Sequence, residues 1–320
     1  MKRKSILLLC ALMSFGAFAQ KSLVKDVEKA IGGMNPDVKT LKAACSDILP
    51  ALVNAETKDD AKTWLVAGKA NFGLFDSQQT KMMMKQPVDT MMMGDALIKG
   101  YEYFVKALPL DSVKEVDKKT GEYKLNKDGS IKIKTSKVSK EIANSLVTRH
   151  NDFSVMASLL YDSKHYKEAA KAWGIYAAIP YAGIVDRDKF AVPDTVIGQM
   201  EFYQGTASWQ AEDLKGAVAA FASARLHGYK AKEAYDYALS CAAGLQDNDA
   251  IVAIAAEAYE EFGNKDIQYM NILINDKLNK EKFDEAESLI NKALASNPNN
   301  PELINLQGLI LENKKDEAGA

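Results

Sequence analysis

Apolar residues recur every three or four positions along most of this chain, the spacing that lines one face of an α-helix. The clearest stretch is 271–300, NILINDKLNKEKFDEAESLINKALASNPNN. It predicts two amphipathic helices, the second beginning near Asp284 and closed by Asn297-Pro298. A small or apolar residue in the middle of each first helix falls at Ala157, Gly205, Leu239, Ile274 and Gly308, at intervals of 48, 34, 35 and 34. A second marker, opening each second helix, falls at Ala169, Ala217, Ile251, Ala286 and Ala320 with the same intervals. Two markers keeping one period predict a stack of helix pairs rather than a single core.

Close packing explains the markers. Tyr166, Leu214 and Phe283 stand three residues before an alanine marker, placed to plug the turn of a helix pair. Trp173, Phe221 and Ile290 follow the same alanines by four residues, on the same helical face. Ala224 and Ala293 come three residues later and let the next helix approach. Asn300-Pro301 caps the following helix, with proline at its first position. These residues resemble the tetratricopeptide repeat family. The match runs over about 170 residues from near His150, in repeats of about 34. It is best from Gln268 to Pro298, which carries Phe283, Ala286, Ile290, Ala293 and Pro298 in order. Phe202-Tyr203-Gln204-Gly205 through Ala224, and Phe153 through Tyr176, match as well. Glu201 and Gln204 depart from the pattern by being polar, and Ile251 and Ala255 replace the usual small and large residues.

The resemblance implies an all-α fold, an α-solenoid whose first helices line a concave wall that contacts a segment of a partner protein. Carried over by alignment, that wall holds Ser154, Ser158 and Tyr161, then Phe202, Thr206 and Trp209, then Asp236, Ser240, Asn271, Asn275 and Asn305. The three asparagines offer amide donors and acceptors to a peptide backbone. Tyr161 and Trp209 are the expected anchors, since rigid aromatics dominate such interfaces. The family's basic clamp for a terminal carboxylate is not evident, which disfavours that ligand.

Four segments are expected. Residues 1–19 read as a signal peptide, with basic Lys2, Arg3 and Lys4, an apolar run, and Ala17-Phe18-Ala19 as cleavage pattern. The Ala-Gln junction resembles that of exported proteins of Bacteroidota-type bacteria, which implies a periplasmic or secreted protein. Residues 20–112 read as degenerate helix pairs, split by a methionine-rich insertion (Met82-Met83-Met84 and Met91-Met92-Met93). Helix starts are expected at Asn35-Pro36 and at the capping box Thr57-Lys58-Asp59-Asp60. Residues 113–137 read as a lysine-rich β-hairpin insertion: Glu122–Asn126 pairs with Ser130–Lys134 through Lys127-Asp128-Gly129, setting Leu125 opposite Ile131 and Tyr123 opposite Ile133. From Val113 to Lys140 there are nine lysines and four acids, a local charge of +5. Those lysines guard an exposed strand edge or meet an anionic partner. Residues 138–320 form the solenoid. Its 48-residue interval holds a 14-residue insertion at Ile184–Ile197, after which Asp194 caps the resuming helix. The last repeat reads as truncated, leaving Leu303, Leu306 and Leu309 without a packing partner, so a longer chain is expected.

Composition narrows the function. Without residues 1–19 the chain carries 38 basic and 43 acidic residues, a net of −5, with no general pull toward nucleic acid. No later stretch is long and apolar enough to span a membrane. Cys45 and Cys241 read as buried thiols. His150, His165 and His227 show no metal-ligand spacing, and no HExxH, GxSxG or phosphate-cradling loop is present. The expected function is therefore a non-enzymatic, cofactor-free scaffold binding another protein or peptide. The alternative is a periplasmic solute-binding or Cu(I)-handling protein, in which soft thioethers of the methionine triplets bind the metal.

Overall fold

The computed structural model describes residues 20–111, 113–125, 129, 131–134, 136–186, 189–263 and 267–319. Among these residues the backbone is helical almost throughout, and it divides into two compact units at Val192 and Pro193.

The first unit holds α1 (20–31), α2 (Val38–Asp47), α3 (Leu49–Val53), α4 (Ala61–Met83), α5 (Thr90–Leu110), α6 (Lys137–Asp162) and α7 (Tyr166–Ala178). Its centre is the α4–α5 pair, which approaches closely because each helix offers a glycine to the other's phenylalanine. Gly68 faces Phe104, Gly100 faces Phe72, and the two rings meet edge to face at 5.0 Å. The expected methionine-rich insertion is the turn of this pair instead. Met82 and Met83 end α4, and Met91, Met92 and Met93 lie in the opening turns of α5, where Asp89 caps by accepting from the Met92 N–H at 2.9 Å. Methionine is a good helix former, so the triplets extend the helices rather than interrupt them. Two helix starts also differ. Asn35 has φ 54°, and Asp37 caps α2 by accepting from the Thr40 N–H at 2.7 Å. Asp60 caps α4 through the Lys62 N–H at 2.9 Å, while the Thr57 hydroxyl donates to the Ala51 carbonyl at 2.6 Å.

The second unit holds α8 (Asp194–Gln210), α9 (Leu214–Leu226), α10 (Lys232–Gly244), α11 (Asn248–Phe262), α12 (Ile267–Asn279), α13 (Phe283–Ser296) and α14 (Pro301–Gly319). Second helices begin at Leu214, Asn248 and Phe283, 34 and 35 residues apart, as the markers predict. Ala217, Ala286, Phe221 and Ile290 are fully buried. Ala255 is fully buried and Ile251 half-buried at the equivalent places, so the divergent repeat keeps its register. Asn300 caps α14, accepting from the Glu302 and Leu303 N–H groups at 2.9 and 3.2 Å. Leu303 does find a partner: it is buried against α12 and α13, with Leu306 packed beside it, and of the three leucines Leu309 is the exposed one.

A device absent from the sequence reading closes every helix pair. Lys164, Glu212, Gln246 and Glu281, spaced like the markers, hold φ between 56° and 64°. The next N–H in each turn (His165, Asp213, Asp247, Lys282) reaches the carbonyl five residues back at 2.8 to 3.0 Å. This is a Schellman cap built without glycine.

Two insertions differ from expectation. After a short 3₁₀ turn, Ile179–Tyr181, the chain leaves helix and α8 starts at Asp194, so Asp194–Ile197 is helix rather than insertion. Pro193 holds the cap position and makes no side-chain cap bond. Within the first unit the inserted loop is pinned by His150. This buried ring stacks on Tyr176 at 3.7 Å, takes the Phe190 edge at 4.9 Å, and its Nε2–H donates to the Tyr176 carbonyl at 2.8 Å. Burial pushes its pKa below the ordinary 6.5, and the bond to Tyr176 only partly opposes that. The unfolded chain thus binds a proton that the folded chain refuses, so this contribution is complete above 6.5 and is lost as pH falls below it. Thermal unfolding should come earlier at about pH 5.5 than at about pH 7.5, and His150→Phe should shrink that difference.

The expected β-hairpin of Glu122–Asn126 on Ser130–Lys134 is not formed. The short strands are β1 (Val113–Lys114) and β2 (Ile133–Lys134), paired antiparallel at the base of the excursion. Tyr123 bridges Val116, not Ile133, and Leu125 meets Ile131 in a single bridge. Lys127 and Asp128 of the expected loop lie outside the described residues. An isolated hairpin is marginal in water, and Tyr123 and Leu125 of the first run stand exposed.

Candidate partner-binding surface

The residues expected to line a wall do lie on first helices, and those helices meet within the second unit. Phe202 of α8 stacks on Tyr237 of α10, with ring centroids 5.9 Å apart and 20° between planes. It also meets Tyr229 at 4.9 Å and the buried Phe221 at 5.6 Å. Trp209, two turns along α8, lies 5.3 Å from the Tyr237 ring. Phe202, Trp209, Tyr229 and Tyr237 are all half-buried, a shelf with one side packed and the other open. Asp236 links α10 to α12. It accepts from the Tyr269 hydroxyl at 2.7 Å and pairs with Lys232 at 2.6 Å. Burial, then this bond to Asp236, push the Tyr269 phenol far above its usual range, so it remains a donor.

Asn271 and Asn275 continue along α12. Asn275 is exposed, whereas Asn271 is half-buried with its Oδ1 enclosed and accepting no hydrogen bond. Asn305 is exposed on α14. The Thr206 and Ser240 hydroxyls donate to the Phe202 and Asp236 carbonyls of their own helices, both at 3.0 Å, and Ser240 stays exposed. In the first unit, Ser154 and Ser158 do the same toward Asn151 and Ser154 at 3.3 and 3.1 Å. Tyr161 packs on Tyr166 at 5.1 Å and Trp173 at 5.7 Å, so it holds its own turn together. Of the two expected anchors, Trp209 alone belongs to a shelf shared by two first helices.

Sequence reasoning missed Tyr229, Tyr237, Tyr269 and Lys232. Their signal was available: Tyr235 and Tyr237 flank Asp236, and Tyr269 stands 33 residues after it, one repeat on. The departure at Glu201 also finds its cause. Its carboxylate is buried and meets His227 Nδ1 at 2.6 Å. Burial raises the Glu201 pKa, with the His227 bond pulling the other way.

Among the described residues no three or more His, Cys, Asp or Glu side chains gather as metal ligands would. Consecutive helical residues point about 100° apart, which spreads each methionine triplet around its helix. Met93 is buried while Met83 and Met84 are exposed. Cys45 and Cys241 are free thiols, each pushed by burial to about 11. No described helix is long and apolar enough to cross a membrane.

No family model matches the sequence, and no curated protein matches it. Solved structures do resemble it at low scores. The TPR2AB domain of yeast Sti1 in its pHSP90 complex is 12% identical with a TM-score of 0.29, over 88% of this chain and 99% of that one. The C-terminal part of a TPR repeat-containing protein from Cytophaga hutchinsonii is 12% identical with a TM-score of 0.31, over 91% and 98%. Yeast Tom70 is 10% identical with a TM-score of 0.27, over 88% and 60%.

Proposed function

We propose that this protein is an exported, periplasmic or secreted scaffold that binds a segment of another protein along α8, α10 and α12. In this reading it does no chemistry of its own. The observation that carries it is the shelf of Phe202, Trp209, Tyr229 and Tyr237, held ring against ring yet half open. Rings already fixed by their neighbours lose little freedom on binding, which is what makes aromatic anchors effective. Further along, exposed Asn275 on α12 supplies an amide able to read a backbone. Export rests on the basic and apolar run ahead of Ala17-Phe18-Ala19.

The test places a photo-crosslinking residue at Gln210, Ser240 or Asn275, exposed positions on the three helices, and at Ala219 or Lys292 on second helices as controls. In cells, one partner should be captured from the first three positions and not from the controls. Capture from the controls alone, or from none, would sink this wall as the binding surface.

A further inference from the structure

The excursion between α5 and α6 is a second, independent surface. Cross-strand bridges put Val116 beside Tyr123 and Leu125 beside Ile131. Residues two apart share a face, so Val116, Tyr123, Leu125 and Ile131 form one apolar face. Most of it stands in water: Val116 is 45% exposed, Tyr123 52% and Leu125 61%. Lysines surround it. Lys114 lies over the Tyr123 ring at 5.2 Å, and Lys118 and Lys119 are exposed in the turn that closes at Gly121. On the other face, Glu115 sits 3.9 Å from Lys124 and 3.4 Å from Lys132. The base is clamped by Asp111, which accepts from the Ser139 N–H at 2.8 Å, the Ser139 hydroxyl at 2.6 Å and the Ser136 hydroxyl. These bonds tie the base of the excursion to the start of α6.

We infer that this excursion docks the protein on a bilayer surface bearing anionic lipid headgroups, through Tyr123 and Leu125 with lysines around them. Charge complementarity selects this occupant. From Val113 to Ser136 the excursion carries seven lysines and four acids, +3, in a chain that is −5 from Gln20 onward, which leaves the rest at −8. An anionic membrane would repel the remainder and attract this one element. Each lysine near such a surface adds to the attraction, which salt screens. Tyrosine sits well at the headgroup level, ring inward and hydroxyl in water, and lysine stems reach outward from beneath it.

Sedimentation with vesicles tests the assignment, using the chain from Gln20 onward and mixed phosphatidylethanolamine and phosphatidylglycerol against phosphatidylcholine alone. The chain should bind the anionic vesicles, and binding should weaken as salt rises. Lys118→Glu with Lys119→Glu, and separately Tyr123→Ser with Leu125→Ser, should each reduce it roughly tenfold or more. Leu226→Ser, which removes an exposed leucine elsewhere, should leave it unchanged. These residues are all exposed, so circular dichroism should match across the set. Equal binding to phosphatidylcholine, no vesicle binding, or excursion variants that bind like the parent would each overturn the assignment. Retention on an acidic polysaccharide without vesicle binding would do so as well.

Discussion

Gly68→Ala should lower the stability of the first unit by about 1 kcal/mol, although alanine is the better helix former. A Cβ at Gly68 would sit 2.3 Å from Phe104 Cδ1 and 3.0 Å from the Gly100 carbonyl. The ring can yield, but it stands edge to face on Phe72 and is itself fully buried. The carbonyl belongs to the α5 backbone and moves only with the helix. Separating α4 from α5 also loosens Phe72 and Phe104 together, so overpacking of about 1 to 3 kcal/mol outweighs a propensity gain of about 1. Two comparisons isolate the cause. Phe104→Leu in the same chain should recover part of the loss, with a coupling of about 1 kcal/mol in a double-mutant cycle. Gly308→Ala, where a Cβ meets nothing within 4 Å, should stabilise by about 1 kcal/mol. Denaturant unfolding of the four variants reads all of this, and a neutral Gly68→Ala would mean that the helix pair is looser than its packing indicates.

That pair shows where sequence reasoning works and where it stops. The period of Ala217, Ile251 and Ala286 could be counted because small residues must recur wherever helices touch, and the structure keeps that register even at Ile251. Turns were less legible. Lys164, Glu212, Gln246 and Glu281 take a backbone conformation usually signalled by glycine, so nothing in their side chains marks them. The excursion was misread because alternation predicts a strand only when one face has something to cover it, and Tyr123 and Leu125 have no such cover. On the candidate wall, alignment assigned positions to first helices but not directions to side chains. The hydroxyls of Ser154, Ser158, Thr206 and Ser240 donate to carbonyls of their own helices, which leaves only their acceptor lone pairs to offer a partner. Tyr237 and Tyr229 were overlooked because their role depends on Phe202 of a neighbouring helix, a relation between repeats that one repeat cannot display.

Glu257→Ala should destabilise the second unit more than Arg225→Met does, although Glu257 is the more exposed partner. Arg225 of α9 is 4% exposed at its side chain, and Glu257 of α11 is 49% exposed. The Arg225 Nε–H donates to both Glu257 oxygens at 3.1 Å, Nη1–H donates to the Ala234 carbonyl at 3.2 Å, and the guanidinium lies 4.9 Å over Tyr235. Removing Glu257 leaves a buried cation with one neutral carbonyl and a ring face. A broken buried pair costs about 3 to 5 kcal/mol, and water reaching the exposed side of Glu257 reduces that to about 2. Methionine at position 225 removes the charge and fills much of the same volume, and the carboxylate left behind is already half in water. That change should cost about 1 kcal/mol. The double variant should then match Arg225→Met, because once the cation is gone Glu257 has nothing buried to neutralise. Trp209 reports unfolding of this unit in denaturant. If Arg225→Met proves the costlier change, the guanidinium binds α9 to α11 through packing and its hydrogen bond to α10, and the charge pair is incidental.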